Sequence, residues 1–428
     1  MPLDEAKLEM RGPGEVPDIG DDYFVPDPQL REFIRLALAE NPEIQVALSR
    51  YRAAVQKIPQ VTALPDPMIT FTKFLRSPET RVGPQVSGAT VSQKFPWFGK
   101  LDLEGRMAAE EAASLYEAYR AKEREIAARV KVAFYELAFV DQAQRIVEEE
   151  KSLLAHYETL AQARYEQGTG LQQAVIKLQA EITQLDDRLQ TLRQQRESLV
   201  TQLNTLLNRD PATPVPTVRL LEVPAVELDL PRLYALAEEH RHELRAVTAQ
   251  VAKAERAIQR AKKDYWPDLT FSAGFVNVEG REDLAGVLAP PPDNGKNIFS
   301  FAVSLNLPIQ REKYDARVVE STELRSAARS EYRRLLNDIE FVIRDQVIRL
   351  ETLQDQLRLY EEALLVQAEE ALRSAEAAYE TGRVGILDLL DSERFFLRTK
   401  LIRERYRADY WKALATLEQA LGTKYPVH

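Results

Sequence analysis

The sequence predicts a mostly α-helical protein with a small β part, arranged as two copies of one repeat. The first observation is a run of helix-forming sequence, residues 309–381, that contains neither glycine nor proline. The second is self-similarity, since residues 41–71 match residues 241–271, with Pro67 falling on Pro267. The third is a pair of short segments in each half where apolar and polar residues alternate, as they do in β-strands.

Two further pairs of segments extend the duplication along the chain. VSQKFP at 91–96 corresponds to VSLNLP at 303–308, and RYEQG at 164–168 corresponds to AYETG at 378–382. Because the order of the matching segments is the same in both halves, the two halves are predicted to share one fold. Each half is predicted to read helix, two strands, a very long helix and a return helix.

The duplication divides the chain into four predicted parts. Residues 1–27 form an N-terminal tail, 28–208 the first repeat, 209–231 a Pro-rich connector and 232–424 the second repeat. The connector is expected to belong to a small middle layer, not to be a free linker. Strands are predicted at 68–75, 85–95, 268–278 and 297–307.

The long helices must turn back on themselves. A helix of about seventy residues is a rod of about 100 Å, which needs helical partners along its length, as in coiled coils or helical barrels. The turns are predicted near 165–171 and 379–386, where glycines can relieve backbone strain. The turn glycines are Gly168, Gly170, Gly382 and Gly385.

Composition and charge exclude several classes of function. The net charge of -10 argues against nucleic-acid binding, which needs clustered Lys and Arg. The absence of cysteine excludes disulfides and thiolate metal sites. His240 and His242 lie two apart on a predicted helix and point away from each other, so we predict no metal site. No catalytic or cofactor motif is present, and we expect neither enzymatic activity nor a cofactor.

The sequence contains no apolar segment long enough for a transmembrane helix. Residues 1–14 also lack the apolar region of a signal peptide. Either the protein is not exported, or the printed sequence starts after a leader. Both interpretations stay open at this point.

The predicted strands alternate over about ten to eleven residues, which is typical of a membrane β-barrel and also of a half-buried soluble sheet. In the last strand Phe299, Phe301 and Val303 share one face. Aromatic residues lie at the helix-proximal ends of the strands: Trp97, Phe98, Tyr265 and Trp266. They fit either a girdle at the membrane interface or packing at a strand–helix junction.

With these elements in this order, the chain resembles the TolC family of trimeric outer-membrane efflux ducts. The resemblance covers about residues 28–424 and rests on the duplication, on QKFPWFGK at 93–100 and on the turn motif. The family's turn motif is Tyr-x-x-Gly, about six residues, then Asp and two apolar residues, and Tyr379, Gly382 and Asp388 match it here. QKFPWFGK resembles the version found in ducts of heavy-metal resistance pumps, the CusC-like subgroup.

The chain departs from the family pattern in both repeats. The first repeat keeps Tyr165 and Gly168 but has Ala174 where the motif has Asp. In the second, the family often has Arg two residues after the turn Gly, where this chain has Val384, with Arg383 one place earlier. Whether Arg383 can form a latch with a neighbouring helix is therefore left open.

The resemblance implies a homotrimer in the outer membrane with a large periplasmic part. Each subunit would give four strands to a twelve-stranded β-barrel and its helical hairpins to a periplasmic α-barrel. The duct would passively export small molecules or metal ions from the periplasm, together with a periplasmic adaptor protein and an inner-membrane pump of the RND type. The alternatives are a duct for type I protein secretion and a soluble, elongated coiled-coil scaffold.

Asp388 and Asp391 are one helical turn apart and have two interpretations. Carboxylates in a first turn favourably meet the helix dipole, which is worth about 0.3–1 kcal/mol. In a trimer they would instead form two acidic rings, and the resemblance implies a periplasmic gate of Asp388, Asp391, Tyr379 and Arg383.

Overall fold

The computed structural model describes residues 23–224, 226 and 228–425. Most of the predicted N-terminal tail, residues 1–22, lies outside the described residues. In chain order the elements are α1 (Pro28–Glu40), α2 (Pro42–Thr62), β1 (Met68–Lys73), β2 (Gln85–Phe95), α3 (Lys100–Glu166), α4 (Gln172–Leu206), α5 (Leu230–His240), α6 (His242–Lys263), β3 (Leu269–Val278), α7 (Leu284–Leu288), β4 (Ile298–Leu305), α8 (Arg311–Leu359), a π-helical segment (Tyr360–Leu364), α9 (Leu365–Glu380) and α10 (Ile386–Leu421). None of the described helices is both long and apolar enough to cross a membrane.

The chain forms two compact units that do not coincide with the two repeats. The helical unit contains the described residues up to Leu48, Glu117–Leu244 and the chain from Arg334 onward. The sheet unit consists of Ser49–Tyr116 and Arg245–Arg333. Each unit takes segments from both repeats because the strands of the two repeats form one sheet and their long hairpins pack together.

Helix α1 illustrates how the sequence starts a helix in the helical unit. The Asp27 carboxylate accepts hydrogen bonds from the backbone N–H groups of Gln29 (2.7 Å) and Leu30 (3.1 Å). Pro28 follows at the first helical position, where its missing N–H costs nothing. The helix then buries apolar residues at i, i+3, i+4, i+7 and i+8, namely Leu30, Phe33, Ile34, Ala37 and Leu38.

The long hairpins share one apolar core. Helices α3 and α4 form the first hairpin, and α9 and α10 form the second. Side chains from all four helices meet in this core, among them Leu154, Leu178, Leu372 and Leu389. A stripe of apolar residues along each helix is therefore covered by the neighbouring helices, as rods of this length require.

The Pro-rich connector lies against the helical unit. The backbone N–H of Val218 donates to the Asp141 carboxylate (2.8 Å), and the Trp411 indole N–H donates to the Leu221 carbonyl (3.2 Å). The Tyr410 hydroxyl donates to the carbonyl of Pro224 (2.9 Å). These hydrogen bonds hold the described part of the connector to α3 and α10.

The four strands form one antiparallel sheet in the order β1-β2-β3-β4. Strands β3 and β4 are shorter than the predicted ranges 268–278 and 297–307. The side chain of Asn306 accepts a hydrogen bond from the N–H of Asp268, and that of Asn297 accepts from Val278 (3.1 Å). Strand β4 stops inside the predicted range because its flanking asparagines bond to the last residue of β3 and to the residue before β3 through their side chains. Strand β1 likewise ends at Lys73, two residues before the predicted end.

Candidate functional site at the hairpin turns

The first hairpin turns back between α3 and α4 through two glycines. Gly168 has φ +73°, in the left-handed region that favours glycine. The backbone N–H of Gly168 donates to the carbonyl of Tyr165, and that of Gly170 to the carbonyl of Arg164, both at 2.9 Å. A Cβ on Gly170 would lie 3.0 Å from the Cβ of Arg164. Gly168 is thus required by its backbone conformation and Gly170 by close approach.

The second hairpin turns back between α9 and α10 in a similar way. Gly382 has φ +70°, and its N–H donates to the carbonyl of Tyr379 (3.0 Å). The N–H of Arg383 donates to the carbonyl of Ala378 (2.8 Å) and closes the turn. Gly385 precedes α10 with φ -82° and ψ 165°, which any residue adopts. Gly385 therefore lies in the predicted turn, but it does not relieve backbone strain there.

The two aspartates that follow this turn have different surroundings. The Asp388 carboxylate accepts a hydrogen bond from the N–H of Gly385 (3.2 Å), which is the geometry of a helix start. The Asp391 side chain is 79% exposed, and its carboxylate lies 3.7 Å from the Arg394 guanidinium. Both carboxylates belong to exposed residues near the positive end of the helix dipole of α10. They can meet cations from solvent there.

An arginine of the first hairpin binds the end of the second. The Arg164 guanidinium donates hydrogen bonds to the backbone carbonyls of Tyr379 (3.0 Å) and Glu380 (2.9 Å). These carbonyls belong to the last turn of α9, where the helix lacks intrahelical donors and carries partial negative charge. Arg164 also lies over the ring of Tyr379, which is only 6% exposed. Arg164 thus joins the two turns within one chain.

Sequence reasoning missed Arg164. The available signal was an asymmetry between the repeats, because RYEQG in the first repeat aligns with AYETG in the second. Arg164 therefore aligns with Ala378, so a charge is present in only one copy of an otherwise similar turn. Arg383, which the sequence suggested as a latch, is exposed, and its side chain contacts no hydrogen-bond or ion-pair partner among the described residues of the chain.

The predicted aromatic residues of the sheet unit lie close together. The rings of Trp97 and Trp266 stack at 5.1 Å between centroids, and Phe98 packs edge-on to Trp97 at 5.7 Å. Tyr265 packs instead against Tyr314, at 5.6 Å. Phe98 and Trp266 remain exposed, so this cluster offers an aromatic surface next to the strands.

A partly buried ion pair holds this aromatic cluster to the sheet. The Lys100 ammonium lies 2.7 Å from the Asp268 carboxylate and also donates to the carbonyl of Trp266 (3.2 Å). The same carboxylate accepts the backbone N–H of Trp97 (3.0 Å). Asp268 thus connects the segment after β2 to the segment before β3.

The two faces of the sheet differ in polarity. Residues that face each other across the four strands form rows. One row is apolar: Ile69, Val91, Ala273 and Phe301. The neighbouring row on the opposite face is small or polar: Thr70, Thr90, Gly274 and Ser300. A row that is apolar and exposed across all four strands is typical of the lipid-facing side of a membrane barrel.

His, Asp and Glu side chains were the residue types left to be considered as metal ligands in this cysteine-free chain. The parts of the chain that the structure describes contain no group of three or more His, Asp or Glu side chains that could hold an ion.

The fold is shared with solved outer-membrane channels. VceC of Vibrio cholerae is 20% identical, with a TM-score of 0.75, and the match covers 93% of this chain and 97% of that chain. CusC is 17% identical, with a TM-score of 0.77 and 94% of each chain covered. The open state of MtrE of Neisseria gonorrhoeae is 18% identical, with a TM-score of 0.74, covering 94% of this chain and 91% of that chain. At these identities the likeness establishes the fold. Among curated proteins none matches the chain.

The sequence itself matches the family described as outer membrane efflux protein, over residues 33–209 and 233–423. The gap between the two matched segments falls in the Pro-rich connector, so each segment corresponds to one repeat. Proteins of this family are trimeric channels that work with adaptors and inner-membrane pumps, and they are not enzymes. The alternative of a soluble scaffold is therefore wrong. The chain belongs to the outer membrane efflux protein family and is a subunit of an outer-membrane efflux duct with a large periplasmic helical part.

Proposed function

We propose that three copies of this chain form one duct, in which twelve strands close a β-barrel. The main support for this proposal is the sheet. Its outer strands β1 and β4 each have only one neighbour among the described strands. An open strand edge is not tolerated in lipid, because its backbone N–H and C=O groups would lack partners. Three four-stranded sheets joined edge to edge remove every open edge.

The helical unit also carries a surface that suits a second copy. Apolar residues that stay exposed on α8 recur at spacings of seven and eleven: Phe341, Ile348 and Leu359. Such spacings keep side chains on one side of a supercoiled helix. In a trimer this seam would be covered by a helix of the neighbouring subunit, and the α-barrel would close.

The duct would work passively beside an energised partner. The partners would be a periplasmic adaptor and an inner-membrane pump of the RND type, and the cargo small molecules or metal ions. This proposal is supported by the family and by the acidic balance of the chain, which favours cations in a narrow lumen.

The gate of the duct would lie at the hairpin turns. Asp388 and Asp391 would form two acidic rings around the threefold axis, since both are exposed and one helical turn apart. Arg164 would hold the second hairpin through Tyr379 in the closed state. Arg383, which extends from the turn, would be left for a contact with another subunit or the adaptor.

The trimer is tested by measuring mass in solution. Light scattering or native mass spectrometry of the detergent-solubilised protein should give three subunits. The trimer fraction should fall in a double variant that places charges in the helical seam, Phe341→Glu with Ile348→Glu. The control Glu351→Gln, at an exposed residue, should not lower it. A stable monomer of the unmodified chain in detergent-free buffer would contradict the barrel.

A further inference from the structure

Two buried glutamates meet between the hairpins. Glu393 of α10 is 1% exposed, and Glu150 of α3 is 8% exposed. Their side chains contact each other, so the first and second hairpins are joined here by a pair of carboxyl groups. Burying a carboxylate is unfavourable unless it is paired with a cation or accepts hydrogen bonds.

Within the described chain, the Glu393 carboxyl group is neither paired with a cation nor given a hydrogen bond. Both of its carboxyl oxygens are buried, and within the described chain no N–H or O–H donor reaches them. Its neighbour Glu150 is a second acceptor when ionised, so the two groups can form a hydrogen bond only if one of them carries a proton. A proton at this position would therefore convert the contact into a hydrogen bond.

The surrounding helices add more negative charge than positive. On α9, the Glu376 carboxylate accepts the hydroxyl of Tyr157 of α3 (2.5 Å). On α4, the Glu181 carboxylate accepts a hydrogen bond from the Nε–H of Arg394 of α10 (3.1 Å). The Lys400 ammonium lies 3.8 Å from the carboxylate of Glu149, the residue before Glu150. Lys400 favours ionisation of the pair, while Glu376 and Glu181 disfavour it.

Burial raises the pKa of both glutamates, and the contact with Glu150 raises the pKa of Glu393 further, to about 9. A carboxyl group whose pKa is raised in the folded state binds a proton more tightly there than in the unfolded chain. Its contribution to stability is therefore full below the ordinary value of 4.5 and is lost as the pH rises toward 9.

We propose that Glu150 and Glu393 form a proton-binding site that fastens the two helical hairpins to each other. With one shared proton, the pair is a hydrogen bond across the hairpins. Without it, two adjacent negative charges repel each other inside the core and loosen the packing of α3 against α10. The site lies within one chain, so it depends neither on the trimer nor on the gate proposed above.

Thermal unfolding of the full-length protein in detergent tests the site. The melting temperature of the unmodified protein should fall as the pH rises from about 6 to about 9, because the shared proton is lost. Glu393→Gln keeps the shape of the protonated side chain and supplies a donor to Glu150. This variant should match the unmodified protein at the lower pH and melt at a higher temperature at the upper pH. The control Glu351→Gln changes an exposed glutamate of α8 and should leave the fall unchanged.

The proton itself can be observed by infrared spectroscopy. At neutral pH the unmodified protein should show the carbonyl stretch of a protonated carboxyl group, and titration to alkaline pH should remove it. Glu393→Gln should lack this band, whereas Glu351→Gln should retain it. If the Gln variant fails to fold, the alkaline titration of the unmodified protein still tests whether a protonated carboxyl group is present. An absent band at neutral pH, or a fall in melting temperature that persists in Glu393→Gln, would overturn the proposal.

Discussion

The guanidinium of Arg164 lies 4.6 Å from the centre of the Tyr379 ring and donates to the backbone carbonyl of the same residue at 3.0 Å. One side chain thus binds both the face of an aromatic ring and the C-terminal end of the helix that carries it. Because Arg164 belongs to the first hairpin and Tyr379 to the second, this contact resists separation of the two turns.

We expect Arg164→Gln to loosen the turns. The substitution removes two hydrogen bonds from a charged donor, each worth about 1.5–3 kcal/mol, and the cation–π contact. Current through the closed duct in planar bilayers should increase, and protease cleavage near residues 379–386 should become faster. Arg383→Gln is the matched comparison, since its side chain has no partner within the described chain. A larger current increase in Arg383→Gln than in Arg164→Gln would mean that Arg383, and not Arg164, holds the turns in the closed state.

The turn glycines allow backbone strain to be measured separately from packing. Gly168 and Gly382 have positive φ, and an added Cβ would contact nothing within 4 Å at either position. Alanine there should cost about 1–2 kcal/mol through strain alone. Gly385→Ala should change stability by less than about 1 kcal/mol, because φ is -82°. Thermal unfolding checks all three variants, and equal losses at Gly382 and Gly385 would contradict this assignment.

Several of these features can be predicted from the sequence, and others cannot. The order of the strands and their alternation are local patterns, so the face of the last strand that holds Phe301 was predicted from the chain alone. The glycines at 168 and 382 were also predicted, because only glycine readily takes their conformation. Sequence reasoning could not tell that Gly385 has an ordinary φ, since a glycine in a turn has no unique backbone angle.

Contacts between distant segments of the chain were the main features that the sequence did not predict. Arg164 and Tyr379 are far apart in sequence, and a lone arginine before a turn carries no signal of its partner. The Glu150–Glu393 pair was missed for the same reason, because a glutamate in a charged helix is normally solvent-exposed. Only the packing of four helices reveals that these two carboxyl groups are buried together.

The lipid-facing row predicts an asymmetry between neighbouring residues of β4. Phe301 belongs to the apolar row and Ser300 to the polar row on the opposite face. Phe301→Arg should reduce assembly in the outer membrane, since an Arg on the lipid face near the bilayer centre costs about 2–4 kcal/mol per chain. Ser300→Arg should assemble normally and change conductance. Quantification of heat-stable trimer in membrane fractions measures assembly, and equal losses would mean that the faces are misassigned.

The last prediction separates the two interpretations of Asp388 and Asp391. If both residues form rings, the double substitution to Asn removes six negative charges from a trimeric constriction with little change in volume. Divalent cations bind between crowded carboxylates, so they should block the unmodified duct and lose most of this block in the double variant. Asp391→Asn alone is the cleaner test, because the Asp391 carboxylate accepts no backbone hydrogen bond from the described residues. In contrast, Asp388→Asn also weakens the bond to the Gly385 N–H and should cost about 0.3–1 kcal/mol in thermal unfolding. Single-channel recording with and without Mg²⁺ separates the two interpretations. If the acidic residues serve only the helix start, Asp391→Asn will leave both divalent block and cation preference unchanged.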